Sequence, residues 1–510
     1  MVVILFITAC AEKPLKVNTE DSYPLTEAKE VLLAGFESIA DRYIELTSPA
    51  KFAIEGLHGL GSIDPAMTFE IIKDELILKL NDDIAGRLHI PKKNKITDWA
   101  ELTVKMIAIS RQKSQEIREA KLEKIYEAVF DSILSSLDIY SRYAGASEAK
   151  RNREKRDGFG GIGVRFRISR DLPQLIKVMP ETPAFKAGLN VGDRLTFADN
   201  ESLNGLNQNQ VRDRLHGPID SFLSLTVKRE GKSKQIQFKI KRALIVTQSV
   251  SYKQNEGIAF IKISNFNQYT ASHTQKKLKR AQADLGKRLK GIILDLRGNS
   301  GGVLDQSIKV ADLFLVKGRI SKTQGRHPDS KQFYDATGHD ITHGSPIIVL
   351  IDGRSASAAE VTAAALQDSG RAIIVGTSSF GKGTVQTVIR MPNQGEMTLT
   401  WSHLIAPAGY KLQGLGVLPL ICTSGIDGNN TDGYSVVKKA LDKKISIENV
   451  YKTWRKASYF NQQKKQQLRN FCPPEHRNLE LENSIAMTML KNKIFYNYAL
   501  NLAMAASMVR

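Results

Sequence analysis

Ile347-Ile-Val-Leu-Ile351, Asp352-Gly-Arg354, Ser355-Ala-Ser-Ala-Ala-Glu-Val-Thr-Ala-Ala-Ala-Leu366 and Gly376-Thr-Ser-Ser-Phe-Gly-Lys-Gly383 lie close together in the chain, and their order decides the fold class. The first run is continuously apolar and rich in β-branched residues, long enough for a buried strand and too short for a helix. Asp352-Gly353-Arg354 ends it. The alanine-rich run that follows predicts a helix with an acidic residue in its first turn and Gly370 as its stop. Ala372-Ile-Ile-Val375 then predicts a second buried strand. Ser357 falls in the first helical turn, where unpaired N–H groups and the positive end of the helix dipole would stabilise an alkoxide or oxyanion. That makes it a candidate nucleophile, and a plain N-cap is an equally good reading of the same spacing.

A serine nucleophile needs a base. The nine histidines are scattered, and none is well placed by sequence logic, His403 included. Lys382, between two glycines, is the alternative. An ammonium with a reference pKa of about 10.4 must lose roughly three units to act near neutrality, and burial against apolar strands can supply that. Three rival motifs overlap these letters. Gly376 to Gly383 nearly matches a phosphate-binding loop, but Gly383 stands where Ser or Thr should hold Mg²⁺. Ser379-Phe-Gly-Lys382 matches Ser-x-x-Lys, a motif that belongs on a helix, and the glycines flanking Lys382 argue against one. Gly158-Phe-Gly-Gly-Ile-Gly163 matches GxGxxG, yet the alternating Val164-Arg-Phe-Arg-Ile168 after it predicts a strand.

Three motifs in order resemble those of the C-terminal processing peptidases, also called tail-specific proteases. They are Ile293-Leu-Asp295-Leu-Arg297-Gly-Asn299-Ser-Gly301-Gly302, Ser355-Ala-Ser357-Ala-Ala-Glu360 and Phe380-Gly-Lys382-Gly-Thr-Val-Gln386. The resemblance implies a multidomain α/β (α+β) protein with a ClpP/crotonase-like αβ protease core. It makes Ser357 the nucleophile, Lys382 the general base and Gln386 the side chain that orients the lysine. It also implies an oxyanion hole from the N–H of Ala358 and an N–H within Gly301-Gly302. Taken alone, the Asp295–Gly302 segment reads as an ordinary strand-to-helix turn before a helix over Leu304–Phe314.

Gly161-Ile-Gly-Val164, Pro183-Ala-Phe-Lys-Ala-Gly188 with Gly192-Asp193, and Val211-Arg-Asp-Arg-Leu-His-Gly217 resemble the PDZ domain that this family carries. The resemblance implies that Ile162, Gly163 and Val164 contact a peptide's terminal carboxylate while the peptide adds as a strand. Without it, a small β domain packed on the core is the better reading. His216 stands where relatives often have arginine, which counts against an arginine-based link between the PDZ domain and the catalytic site, although Arg212 and Arg214 are near in sequence.

The ends bear on compartment. Ile7-Thr-Ala-Cys10 resembles a bacterial lipobox, which would make Cys10 a lipidation site and place the protein in the cell envelope, lipid-anchored and facing the periplasm. A frayed apolar terminus is the plainer alternative. The basic segment expected ahead of a signal peptide is missing, which points to a start upstream. Cys422 and Cys472 are candidates for a disulfide in an oxidising compartment, and two free thiols fit the spacing as well. No His, Cys and carboxylate pattern has zinc spacing, so neither metal nor cofactor is expected.

Length and composition set the remaining bounds. The 510 residues accommodate several domains, 42% hydrophobic content is ordinary for soluble protein, and no other run reaches membrane-spanning length. The charge of +20, from 73 basic and 53 acidic residues, sits in mixed runs that read as solvated surface. No aromatic-interleaved basic strand points to nucleic acid. The expected organisation is a signal and linker over 1–23, a helical domain over 24–150, the PDZ domain over 158–243, the peptidase core over 246–420 and a helical extension over 421–510. Pro419-Leu420 replaces the Pro-Asp with which relatives often end the core. The expected partners are proteins or peptides with exposed carboxy-terminal tails, with oligomerisation left open. The competing function is a catalytically silent, lipid-anchored PDZ adaptor, and a P-loop ATPase is a distant third.

Overall fold

The computed structural model describes residues 24–427, 432–442, 444–457, 460–476 and 480–507. Two compact units divide the chain. The first comprises the described residues up to Asp41, Leu46–Gly145 and Ile389–Met397. Its helices are α1 (Leu25–Arg42), α2 (Pro49–His58), α3 (Ile96–Lys113), α4 (Gln115–Glu119) and α5 (Leu122–Leu137). Ser48 caps α2 by accepting the Lys51 N–H at 3.3 Å, with Pro49 pre-set for the first turn. Ala28, Val31, Leu32, Phe36 and Ile39 form the buried stripe of α1, and Phe36 meets Phe52 edge to face at 5.7 Å.

The segment expected to be a helical domain over 24–150 carries these helices and also four strands. Strands β1 (Met67–Ile72), β2 (Glu75–Leu80) and β3 (Asp83–His89) form an antiparallel sheet, and β4 (Arg142–Ala144) follows α5. Register Ile72↔Glu75 and Leu80↔Asp83 leaves two-residue turns at Lys73-Asp74 and Asn81-Asp82. Asn81 and Asp82 both take positive φ, 52° and 70°, the backbone that a tight hairpin requires and that Asn and Asp tolerate. Helical periodicity in the flanking segments masked this alternation.

The second unit comprises Arg42–Glu45, Ala146–Val388 and the described residues from Thr398 on. Helix α6 (Ala146–Asp157) leads into β5 (Phe159–Gly161), β6 (Val164–Ser169), β7 (Leu172–Val178), α7 (Pro183–Lys186), β8 (Arg194–Ala198), β9 (Glu201–Ser202), α8 (Gln208–Leu215), β10 (Phe222–Lys228), β11 (Ile236–Lys241) and β12 (Ala243–Ile245). The sheet order is β11-β10-β8-β7-β6, with β9 on β8, so β6 is an edge strand. Val211 and Leu215 of α8 pack into a core with Leu223, Leu225 and Val227. β5 pairs with β12, closing the two ends of this domain on each other.

The catalytic-core candidate begins with β13 (Val250–Asn255), β14 (Ile258–Ile263), α9 (Thr270–Leu285), β15 (Gly291–Asp295), α10 (Leu304–Asp312), β16 (Arg319–Gly325) and β17 (Gln332–Asp335). It continues through β18 (Ile347–Ile351), α11 (Ala358–Asp368), β19 (Ile373–Gly376), β20 (Thr384–Arg390), β21 (Glu396–Ile405) and β22 (Ile421–Cys422). The main sheet has the order β13-β14-β15-β18-β19-β22 and is parallel from β14 onward. All five residues of β18 are buried, as befits a central strand covered on both faces. A second sheet runs β17-β16-β21-β20. Because β22 pairs with β19, the main sheet extends to Cys422.

Helices α12 (Gly433–Leu441), α13 (Lys444–Lys456), α14 (Gln462–Arg469), α15 (Glu480–Lys491) and α16 (Lys493–Ser507) form the extension. Their buried side chains, Trp454, Ile485 and Met489 among them, belong to the same hydrophobic core as the main sheet. Cys422 at the sheet edge and Cys472 after α14 are joined by a disulfide across a sequence separation of 50. Loop closure of that length is worth about 4 kcal/mol. Paired Cys422→Ser and Cys472→Ser substitutions should therefore lower the guanidinium midpoint of unfolding by that equivalent, whereas an unchanged midpoint would show that the bridge does not restrain the unfolded chain.

Candidate active site

The turn after β18 is wound around the buried Asp352. Its Oδ1 accepts the N–H groups of Gly298 at 2.9 Å, Arg354 at 3.0 Å and Ser355 at 3.1 Å. Ser355 Oγ donates to Leu296 O at 2.9 Å. So wound, the chain brings Ser357 to the start of α11 with φ 55° and ψ −115°, outside the regions that a non-glycine residue normally occupies. Such a conformation costs about 1–3 kcal/mol and persists only where the surroundings over-determine it. A sharp strand-to-helix turn of this kind presents a serine hydroxyl at the end of a sheet.

Glu360, one turn into α11 and fully buried, is the group that over-determines it. Its Oε2 accepts the Ser357 N–H at 2.7 Å and the Lys382 N–H at 2.9 Å. Its Oε1 accepts the Gly381 N–H at 2.6 Å and the Ser379 hydroxyl at 2.5 Å. The main-chain nitrogens of Ser357 and Lys382 are thus no farther apart than two hydrogen bonds laid end to end. Burial pushes the Glu360 carboxyl above its usual pKa, while these four donors pull it back. Every contact is a donor, which is the environment of a carboxylate. Sequence reasoning places Glu360 in the helix's first turn and at the end of the Ser355–Glu360 motif without giving it a role, and takes Ser379 only as part of a rival motif. The Ser-x-x-Glu spacing of a capping box was the available signal.

Lys382 is half-buried, as is Ser357, and its loop is pinned from both sides. Gly414 N–H donates to Gly381 O at 2.9 Å, Gly383 N–H to Gln413 Oε1 at 2.9 Å, and Leu404 N–H to Gly383 O at 2.7 Å. A Cβ on Gly383 would overlap the Gln413 backbone, which is why glycine follows the lysine. The loop runs from β19 into β20, a strand, so neither a phosphate-binding loop nor a helical Ser-x-x-Lys motif is present. Gln386 lies on β20 and donates through Nε2 to the hydroxyls of Thr384 at 2.9 Å and Thr400 at 3.3 Å. That leaves Oε1 as the side-chain atom with which it can accept.

The Asp295–Gly302 loop stands against the serine turn. Ala356 N–H donates to Asn299 O at 2.9 Å, and a Cβ on Gly301 would lie 2.9 Å from Ser357 Cβ and 3.1 Å from Ala358 N. Gly301 N–H donates to Asn299 Oδ1 at 2.9 Å. Among the described residues, the N–H groups of Gly302 and Ala358 have no protein acceptor. Gly302 takes φ 137°, and a Cβ there would collide with the Phe266 backbone.

In the β domain, Ile162 O and Gly163 O accept the N–H groups of Ala184 at 2.8 Å and Met179 at 2.9 Å. The N–H groups of Ile162 and Gly163 have no acceptor among the described residues. Val164 begins the edge strand β6. His216 stacks on Phe159 with ring centroids 3.9 Å apart, and its Nδ1 is 3.4 Å from Glu154 Oε1. Burial lowers its pKa and Glu154 opposes that. Cys10 lies outside the described residues. Among the described residues, no group of three His, Cys, Asp or Glu could hold a metal, and no helix is long and apolar enough to cross a membrane.

Residues 160–240 match the PDZ domain and residues 257–422 match Peptidase family S41. A carboxy-terminal-processing protease of Bartonella bacilliformis is 38% identical over 328 residues, covering 64% of this chain and 76% of the relative. Carboxy-terminal processing protease CtpB of Bacillus subtilis is 30% identical over 337 residues, covering 65% and 68%. Among solved structures, a photosystem II D1 C-terminal processing protease aligns with a TM-score of 0.40 at 20% identity, over 77% of this chain and 92% of that one. On the strength of the two sequence relatives, each aligned over more than two thirds of its own length, the chain belongs to peptidase family S41 and carries a PDZ domain.

Proposed function

We propose that this protein is a serine endopeptidase that binds and cleaves the carboxy-terminal tails of proteins, with Ser357 as nucleophile and Lys382 as general base. The observation that carries the reading is one buried carboxylate, Glu360, whose Oε2 accepts from the main chain of both residues. The family and the names of its relatives supply the reaction class.

In the first step Ser357 Oγ adds to the scissile carbonyl carbon and its proton passes to the neutral Lys382 amine. The oxyanion forms beside the N–H groups of Ala358 and Gly302, which need no reorganisation to receive it. Lys382 then returns the proton to the leaving amine as the C–N bond breaks, giving an acyl ester on Ser357. Water, deprotonated by Lys382, hydrolyses that ester and restores the serine. Gln386 offers Oε1 to hold the lysine in line. The substrate tail docks beside β6 as an added strand, its carboxylate at the N–H groups of Ile162 and Gly163. The proposed setting is the periplasmic side of a bacterial envelope, with Cys10 as lipid attachment point and envelope proteins as substrates. Localisation rests on the lipobox-like residues and on the disulfide, which belongs to an oxidising compartment.

Cleavage of a folded protein bearing an unstructured apolar tail tests the assignment. Ser357→Ala and Lys382→Ala should each reduce kcat by at least about a thousandfold with the fold retained, and a variant that keeps wild-type turnover would refute its residue's role. Glu360→Gln gives a sharper test of the tether. An amide offers one accepting atom where the carboxylate has two, so in either orientation two donors face an NH₂ group, at about 1–3 kcal/mol per unpaired group. The expected outcome is a fall in kcat of tenfold or more with a melting temperature lowered by only a few degrees, and full activity would contradict the tether.

A further inference from the structure

We propose that the segment from α14 through α15, outside the part of the chain that matches the peptidase family, braces the catalytic loops, and that Arg469 is the positioning residue for the loop carrying Lys382. The inference rests on the assignment of Ser357 and Lys382. Arg469 closes α14 and is 9% exposed. Its Nη2 donates to Ser379 O at 2.8 Å and its Nη1 to Leu415 O. Those carbonyls belong to two stretches of chain that face each other, since Val417 N–H donates to Ser379 Oγ at 2.7 Å and Gly414 N–H to Gly381 O at 2.9 Å. One planar guanidinium therefore spans the lysine loop and the segment backing it. A Cβ on Gly381 would lie 3.0 Å from Nη1, so the cation sits against the residue before Lys382. One turn earlier in α14, Lys465 donates to Gln413 O at 3.3 Å, and Gln413 in turn accepts the Gly383 N–H.

The same segment reaches the other two loops of the site. Glu475 O accepts the Gly353 N–H at 2.7 Å and the Thr377 hydroxyl at 3.1 Å, and His476 Nδ1 is 3.3 Å from Asp352 Oδ2. Glu482, fully buried, pairs with Arg297 at 3.3 Å and accepts the Thr423 hydroxyl at 2.8 Å. The turn bearing Ser357, the loop bearing Gly302 and the loop bearing Lys382 are thus each tied to side chains or carbonyls between residues 465 and 482. The disulfide at Cys472 sits in the middle of that span.

The charge has a consequence separate from the geometry. Charged groups of three elements meet this loop among the described residues: Glu360 of α11 accepts its N–H groups and interacts with Arg469 of α14, and Lys411 acts on Lys465. The Arg469 cation, 3.0 Å from where a Gly381 Cβ would stand, would disfavour a second positive charge on the neighbouring Lys382 and so favour the neutral amine that a base must be. Arg469→Met removes both charge and hydrogen bonds; Arg469→Lys keeps the charge but cannot span two carbonyls.

The test measures kcat and KM for tail cleavage by the full chain across pH, with melting temperature as the check on folding. Arg469→Met should lower kcat at least about tenfold with KM changed less than about twofold, and move the acid limb of the kcat profile to higher pH. Arg469→Lys should lower kcat while leaving that limb in place. A wild-type kcat in Arg469→Met, or a loss that tracks the folded fraction with the pH limb unmoved in both variants, would overturn the brace. If Arg469→Met does not fold, Arg469→Lys decides through kcat alone at full folded fraction. Ser357→Ala and Lys382→Ala run alongside: activity in either would show that the assignment of the site failed, independently of Arg469.

Discussion

A carboxylate with no access to water must be surrounded by donors, and Glu360 draws its donors from two stretches of chain about twenty residues apart. Two main-chain N–H groups and a hydroxyl come from the Ser379–Lys382 loop, and one N–H comes from Ser357. Leaving any of them unpaired in this interior would cost about 1–3 kcal/mol, and leaving the charge unpaired would cost several more. The folded chain therefore cannot separate the serine turn from the lysine loop without exposing or orphaning these groups. The unfavourable φ of Ser357 is tolerated because its own N–H is one of the four. Positional accuracy at the site is thus a by-product of satisfying one buried charge.

The remaining loops obey the same rule. Asp352 winds the turn that leads to Ser357, and Asn299 takes the Gly301 N–H while its carbonyl holds Ala356. Each of these residues is buried, and each is satisfied by backbone groups of its own loop and of the neighbouring one. The glycines at 301, 302 and 383 fall where a Cβ would strike backbone from another loop. They are what allows three loops to approach within hydrogen-bonding distance of one another.

Much of this was legible in the letters. The apolar run of β18, the alanine-rich α11 and the glycines around Lys382 predict strand, helix and loop from local chemistry alone, and the structure has all three. The β domain's edge strand follows from the alternation of Val164–Ile168. What was not legible depends on tertiary contact. Whether Gly301 or Gly302 has an uncommitted N–H depends on where Asn299 points, which no spacing reveals. Arg469 and Glu482 read as members of a mostly helical extension, because a side chain that will be buried against a distant partner looks in sequence like any surface charge. The sheet β1–β3 was hidden for a different reason: its turns use Lys73-Asp74 and Asn81-Asp82 without glycine, and strongly helical segments flank it.

The most direct measurement is a crystal structure of the protein with a peptidyl boronate bound to Ser357. The account predicts Glu360 still bridging the Ser357 and Lys382 N–H groups, Lys382 Nζ within hydrogen-bonding reach of Ser357 Oγ, and a boronate oxygen about 2.7–3.1 Å from the N–H groups of both Ala358 and Gly302. A complex in which Lys382 Nζ stays out of reach of the serine while Glu360 keeps its four donors would contradict it.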